Sequence, residues 1–269
     1  MSKWMLSAFA DEIADGLDEQ IFNLNKHGIT HMEFRNLEQQ CIIDYKPAQV
    51  KEIAKKLAGN GIGVSAIGSP IGKIKITQSF ESHLDAFRRT LEVAHLLNAP
   101  YIRMFSFFIP PGEDPACYRE EVLSRWQTFI DIARGEQLIL LHENEKEIYG
   151  DRPERCLDLL TTLNCSYLKA IFDPANFVQC DVETYPKAYE LLKDHIVYMH
   201  IKDARNSDHV VVPAGQGDGH IVDILKALKA MDFNGFLSIE PHLNGSLPGG
   251  GPKLFSVAVH ALKNILDKL

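Results

Sequence analysis

Leu138–Arg155 reads LILLHENEKEIYGDRPER. A short apolar run ends in His142-Glu143-Asn144-Glu145, and Gly150-Asp151-Arg152-Pro153 then opens an amphipathic stretch. The run is too short for a helix and fits a buried strand. Asp151 before Pro153 predicts a capped helix start, with proline in the first turn. The stretch is therefore one strand-to-helix unit whose strand finishes in carboxylates, an amide and an imidazole.

The same unit recurs on both sides of it. Trp4–Phe9, Thr30–Arg35, Ile62–Ile67 and Tyr101–Phe105 read as strands one to four, and Gln137–Leu141 begins strand five. Leu168–Phe172, Ile196–His200 and Gly235–Ile239 read as strands six to eight. Helical spacing follows each. Leu17, Ile21 and Leu24 run to Gly28; Val50, Ile53, Ala54 and Leu57 run to Gly59; and Leu84, Phe87, Leu91 and Ala94 lie within 80–98. Further helices are predicted over 115–134, after Pro153, after strands six and seven, and over 252–268.

No Pro/Gly/Ser linker interrupts the series, so residues 1–269 are read as a single domain. Alternation of this kind implies a parallel sheet, and eight units predict an α/β fold, a single (β/α)₈ TIM barrel. A doubly wound open sheet is the other arrangement, but FADEIADG after strand one has no dinucleotide glycine fingerprint.

In such a barrel, functional side chains collect at the C-terminal ends of the strands. Strand five delivers Glu143, strand six (LKAIFDPAN) Asp173, strand seven (IVYMHIKD) His200, and strand eight (GFLSIEPHL) Glu240. Three carboxylates and an imidazole form a hard, oxygen-rich set. It suits one divalent ion, Mn²⁺ or Mg²⁺ first, with Co²⁺ or Zn²⁺ as alternatives. Lys202 shares a side of its strand with His200 by the two-residue period, so it is expected near a substrate oxygen or phosphate. Arg35 and Glu33 end strand two, Asp11-Glu12 follow strand one, and Arg103 lies inside strand four. Such buried charges require partners, so Arg103 is expected to meet a carboxylate near the mouth. For Glu33 and Arg103 a structural ion pair and a substrate contact both stay open.

His242, two residues beyond Glu240, is within reach of the same place. His142 alternates away from the lumen and is expected to pack between sheet and helices. His27, His31, His83, His95, His195, His209 and His260 are read as surface or packing residues. Gly215–His220 and Gly249–Pro252 precede helices, where backbone amides can bind phosphate, but ordinary turns explain them as well.

The net charge of −8 argues against a general nucleic-acid or membrane surface. No apolar run reaches the roughly 20 residues of a membrane span, and the N-terminus lacks a signal-peptide pattern. Cys41, Cys117, Cys156, Cys165 and Cys180 are odd in number without a CxxC pair, which predicts free thiols and a cytoplasmic setting. Composition leaves a homo-oligomer open.

FADEI, EFR, GSPIGKI, RMFSFF, HENE, FDPAN, HIKD and IEPHL, in that order, resemble the xylose-isomerase-like TIM barrels, which include sugar phosphate isomerases and epimerases. The resemblance spans nearly the whole chain. It implies a metal site at Glu143, Asp173, His200 and Glu240, with Glu143 and Glu240 also exchanging the substrate proton as in ketose 3-epimerases. Two positions depart from the family pattern. Glu145 and Asn176 stand where relatives often carry histidines that touch substrate, so the substrate does not carry over.

The expected reaction is metal-dependent isomerisation or epimerisation of a sugar, sugar phosphate or cyclitol-like ketone through an enediolate, with Lys202, Asn176, Glu145, Arg35, Arg103 and His242 binding substrate. A dehydratase acting on an inosose- or dehydroshikimate-type substrate is the alternative from the same superfamily. An endonuclease IV-like nuclease fits less well. That enzyme needs further histidines at strand ends where this chain has Arg35, Gly68 and Ser106.

Overall fold

The computed structural model describes residues 4–269. Eight parallel strands form its central sheet: β1 (Met5–Ala8), β2 (His31–Phe34), β3 (Gly63–Ile67), β4 (Tyr101–Met104), β5 (Ile139–Glu143), β6 (Leu168–Phe172), β7 (Ile196–Ile201) and β8 (Phe236–Ile239). Their order is β1-β8-β7-β6-β5-β4-β3-β2, and β1 packs beside β2 at the seam, so the sheet curls into a nearly closed barrel. The predicted TIM barrel is the observed one. β5 reaches two residues further than the apolar run alone suggests, taking in His142 and Glu143.

The helices are α1 (Leu17–Lys26), α2 (Pro47–Gly59), α3 (Glu81–Leu96), α4 (Arg119–Ile132), α5 (Pro153–Leu163), α6 (Pro174–Val178), α7 (Tyr189–Leu192), α8 (Ile221–Ala230) and α9 (Gly251–Leu266). Each long helix turns its apolar stripe inward, as with Leu17, Ile21 and Leu24 of α1 or Val50, Ile53 and Leu57 of α2. This shell of contacts between strands and helices forms the main core.

Two local expectations are corrected. Asp151 does not cap α5: the N-cap is Arg152, without a capping side chain, and the Asp151 carboxylate bonds Arg155 instead. The helix expected after strand six is broken into the short α6 and α7. Between them Tyr185 is extended (φ −139°, ψ 134°), as the steric demand of Pro186 on its predecessor favours.

The lumen is filled from below. Ala66, Leu141, Ile171, Tyr198 and Phe236 pack there, with Tyr101 and Ile139 beside them. Polar groups begin above this plug. The Ser7 and Ser65 hydroxyls lie 2.6 Å apart and Ser65 Oγ is 2.8 Å from the Tyr198 hydroxyl. Among the described residues no helix is long and apolar enough to cross a membrane. All five cysteines are free thiols.

Candidate metal centre and active site

His200 stands at the middle of the barrel mouth because period two turns Tyr198, His200 and Lys202 of the β7 segment to the lumen. Its ring is fully buried and meets the edge of Phe9 at 5.2 Å between centroids. The Nδ1 atom lies 3.1 Å from Glu143 Oε1, 3.4 Å from Asp173 Oδ2 and 3.7 Å from Glu240 Oε2. Each of these four residues offers a ligand atom within 4.8 Å of all the others, and all four are buried. The set proposed from four strand ends is thus brought to one place.

On the other side of the ring, Nε2 lies 3.1 Å from Glu33 Oε2, which also accepts from Ser238 Oγ at 2.9 Å. With Nε2–H donated to Glu33, Nδ1 is the nitrogen turned to the mouth. Glu33 reaches this position at a β-bulge: the β2–β3 register shifts between Met32 and Glu33.

Burial alone would make His200 harder to protonate, but the surrounding Glu143 and Glu33 carboxylates outweigh it and hold the imidazole well above its usual range. Burial likewise opposes the charged form of Glu240. Lys202, with His242, His200 and Arg35, overrides it and keeps the carboxylate well below the usual value. Lys202 is itself buried, 2.8 Å from both Asp173 Oδ2 and Glu240 Oε2. Those two carboxylates draw a cationic group between them, and Glu143 Oε2 is buried without a hydrogen-bond partner. A buried carboxylate-rich set with an orphaned oxygen and a pre-oriented imidazole fits a divalent metal ion.

The neighbours fix this set in place. Arg103 Nε lies 3.4 Å from Glu143 Oε2 and 3.9 Å from Glu33 Oε1, so the expected partner of this strand arginine is found. Arg35 Nε is 2.7 Å from Asp11 Oδ2, and its guanidinium also reaches Glu12 at 3.3 Å and Glu240 at 3.6 Å. Asn176 donates to Glu143 Oε1 at 3.2 Å. His242 Nδ1 sits 3.1 Å from Glu12 and 3.4 Å from Glu240. Glu145, at the rim, pairs with Lys73 at 3.1 Å and Lys146 at 3.0 Å. Burial would raise its pKa, but Lys202, Lys73 and Lys146 bring it down to about 2. Of these, Arg35, Arg103, Asn176, Glu145, Glu240 and His242 line a cavity of about 360 Å³.

Some readings sharpen. His142 does point away from the lumen, 3.0 Å from Ser106 Oγ and against Trp126. The glycine-rich loop before α8 uses its amides internally: Gly215, Gly217 and Gly219 N–H donate to the Asp203 carboxylate at 2.8–3.0 Å. Sequence reasoning missed this clamp. It also missed Asn144, whose side chain exchanges two 2.9 Å bonds with the Asp173 backbone and ties β5 to β6. Glu33 had a usable signal, since it shares the inward face of its strand with Arg35.

A family model described as "Xylose isomerase-like TIM barrel" matches residues 22–264. The chain belongs to that family. Among solved structures the xylose isomerase-like barrel is similar to a D-tagatose 3-epimerase-like protein, at 15% identity over 98% of this chain and 99% of that one, with a TM-score of 0.76. It is also similar to the probable 3-DHS dehydratase AsbF, involved in petrobactin synthesis, from Bacillus anthracis (15% identity, 97% and 99% covered, TM-score 0.79). A third similar structure is the IOLI protein with a binding zinc atom (16% identity, 98% of each chain, TM-score 0.78). No curated protein matches the chain by sequence. At these identities the likeness carries the fold, while the chemistry rests on this family member's own residues.

Proposed function

We propose that this xylose isomerase-like barrel is a divalent-metal-dependent isomerase or epimerase of a polyhydroxylated ketone: a sugar, a sugar phosphate or a cyclitol-like compound. The observation that carries the reading is the placement of Glu143 and Glu240. The two carboxylates come from β5 and from the end of β8, yet both lie within 3.7 Å of one imidazole nitrogen. In this reading one of the two carboxyl groups takes the proton beside the carbonyl of a bound substrate and the other supplies one.

Glu143, Asp173, His200 and Glu240 would hold the metal, with Mn²⁺ or Mg²⁺ favoured by three oxygen ligands. When bound, the ion supplies Lewis-acid polarisation of a carbonyl and an adjacent hydroxyl. Glu240, held in its ionised form by Lys202 and its neighbours, would be the group that accepts the proton next to the carbonyl. Removal of that proton leaves an enediolate. For epimerisation Glu143, oriented by Asn176 and Arg103, would enter the step as the carboxylic acid and donate its proton on the other face, so that the two glutamates end with their protonation exchanged; for aldose–ketose exchange Glu240 would return the proton it took to the neighbouring carbon. Lys202 is placed to hold a substrate oxygen. Arg35 and Arg103 act by fixing carboxylates, and His242 and Glu145 border the cavity.

The test is a screen of ketoses and cyclitols in D₂O with protein loaded with Mn²⁺ or Mg²⁺. Deuterium uptake at the carbon beside the carbonyl, with product mass otherwise conserved and uptake lost on chelation, supports the reading. A product lighter by one water identifies a dehydratase. No uptake with any member refutes the proposal.

A further inference from the structure

The cavity wall carries five permanent cations, Arg35, Lys73, Arg103, Lys146 and Lys202, a set that invites a phosphorylated ligand. Their partners argue the opposite. Arg35 is held by Asp11 and Glu12, Arg103 by Glu143 and Glu33, and Lys202 by Asp173 and Glu240. Lys73 and Lys146 both reach Glu145, and Lys146 also bonds Gln179 Oε1 at 2.7 Å. None of these five is without a carboxylate. Seven carboxylates thus face these five side-chain cations. The second phosphate receptor of a barrel is a set of backbone amides near strands seven and eight. Of these, the loop after β7 is closed to a phosphate, because the amides of Gly215, Gly217 and Gly219 are already committed to Asp203.

Resting on the reading above, we propose that the substrate is an uncharged polyhydroxy ketone, not a phosphate ester or a carboxylated sugar, and that Glu145 sets this preference. Glu145 lies on the loop two residues past Glu143, and its side chain, 16% exposed, lines the cavity. An anionic ligand would meet this carboxylate and have to break its pairs with Lys73 and Lys146. A neutral polyol breaks nothing: its hydroxyls donate to Glu145 and accept from the lysines. Juxtaposed like charges disfavour a wrong partner on the order of a hundredfold or more.

The experiment uses Mg²⁺-loaded wild-type protein and Glu145→Gln. Matched pairs of neutral ketoses and their phosphate esters are compared for deuterium uptake, and sulfate, a tetrahedral dianion, is titrated by calorimetry. The expected result is uptake with neutral members over their esters, no saturable sulfate binding by the wild type at millimolar concentration, and sulfate binding gained in Glu145→Gln. Preference for the phosphorylated members overturns this inference while leaving the proposed reaction standing. Uptake with no member overturns the proposed reaction, and sulfate then decides the charge question alone. Saturable sulfate binding by the wild type, or none gained in the variant, refutes the role of Glu145.

Discussion

Glu33 Oε2 lies 3.1 Å from His200 Nε2, across the barrel and 167 positions away in the chain, with neither side chain exposed. This contact decides which imidazole nitrogen faces Glu143, Asp173 and Glu240. Partners of this kind behind a ligating histidine are typically worth about 10–100-fold in metal affinity. Glu33→Leu is therefore expected to weaken Mn²⁺ binding by that factor in calorimetric titration, and Glu33→Gln, which keeps an acceptor, to weaken it less. Equal affinity in wild type and Glu33→Leu would remove Glu33 from the site.

Glu240→Gln is expected to lose turnover by about 10²–10⁴-fold, the usual contribution of a general base, with an unchanged circular dichroism spectrum. Glu143→Ala is expected to weaken metal binding. Full activity in both variants would dismiss the assignment of the two glutamates.

Metal binding should depend on pH through His200. Its proton is held well above the usual value by Glu143 and Glu33, and an imidazole must shed that proton from Nδ1 to become a ligand. Protons are then released on loading, and affinity rises with pH. Titrations in two buffers of different ionisation enthalpy measure the release; identical heats in both would contradict it.

Stability should fall on acidification through His142, which burial holds down to about 3. The unfolded chain takes up this proton near pH 6.5 while the native state refuses it until about pH 3. Between those values the native state loses about 1.4 kcal/mol per pH unit from this residue. His83, lowered to about 4 by burial and by Arg125, acts in the same direction. Urea unfolding at pH 7 and pH 5 should show a smaller difference for His142→Gln than for the wild type.

Gly72→Ala is expected to destabilise the fold by about 2–4 kcal/mol, from left-handed strain and overpacking together. Gly72 has φ +91°, and an added Cβ would run into the backbone carbonyl of Phe105. A thermal midpoint equal to that of the wild type would show that the β3–α3 loop can yield there.

The eight units and the convergence of four strand-end side chains, Glu143, Asp173, His200 and Glu240, were legible because both follow from local periodicity. An apolar run of four to six residues states a buried strand, and its last inward residue falls at the mouth wherever the strand is placed. Asp151 shows the limit even locally, since Arg155 takes the carboxylate that the sequence assigns to the helix cap. The break between α6 and α7 was signalled by Pro186, but an apolar pattern alone reads through it.

What the chain determined by itself is the barrel and the identity of the residues at its rim. The tertiary structure decided how they are used: that Glu33 holds the back of His200, that Asn144 ties two strand ends together, that Asp203 takes the glycine-loop amides, and that Glu145 is paired with Lys73. The physical reason is range. Side-chain direction repeats along a strand and can be counted from sequence, whereas these pairs join residues from different strands and loops, and only the closed sheet brings them within hydrogen-bond distance.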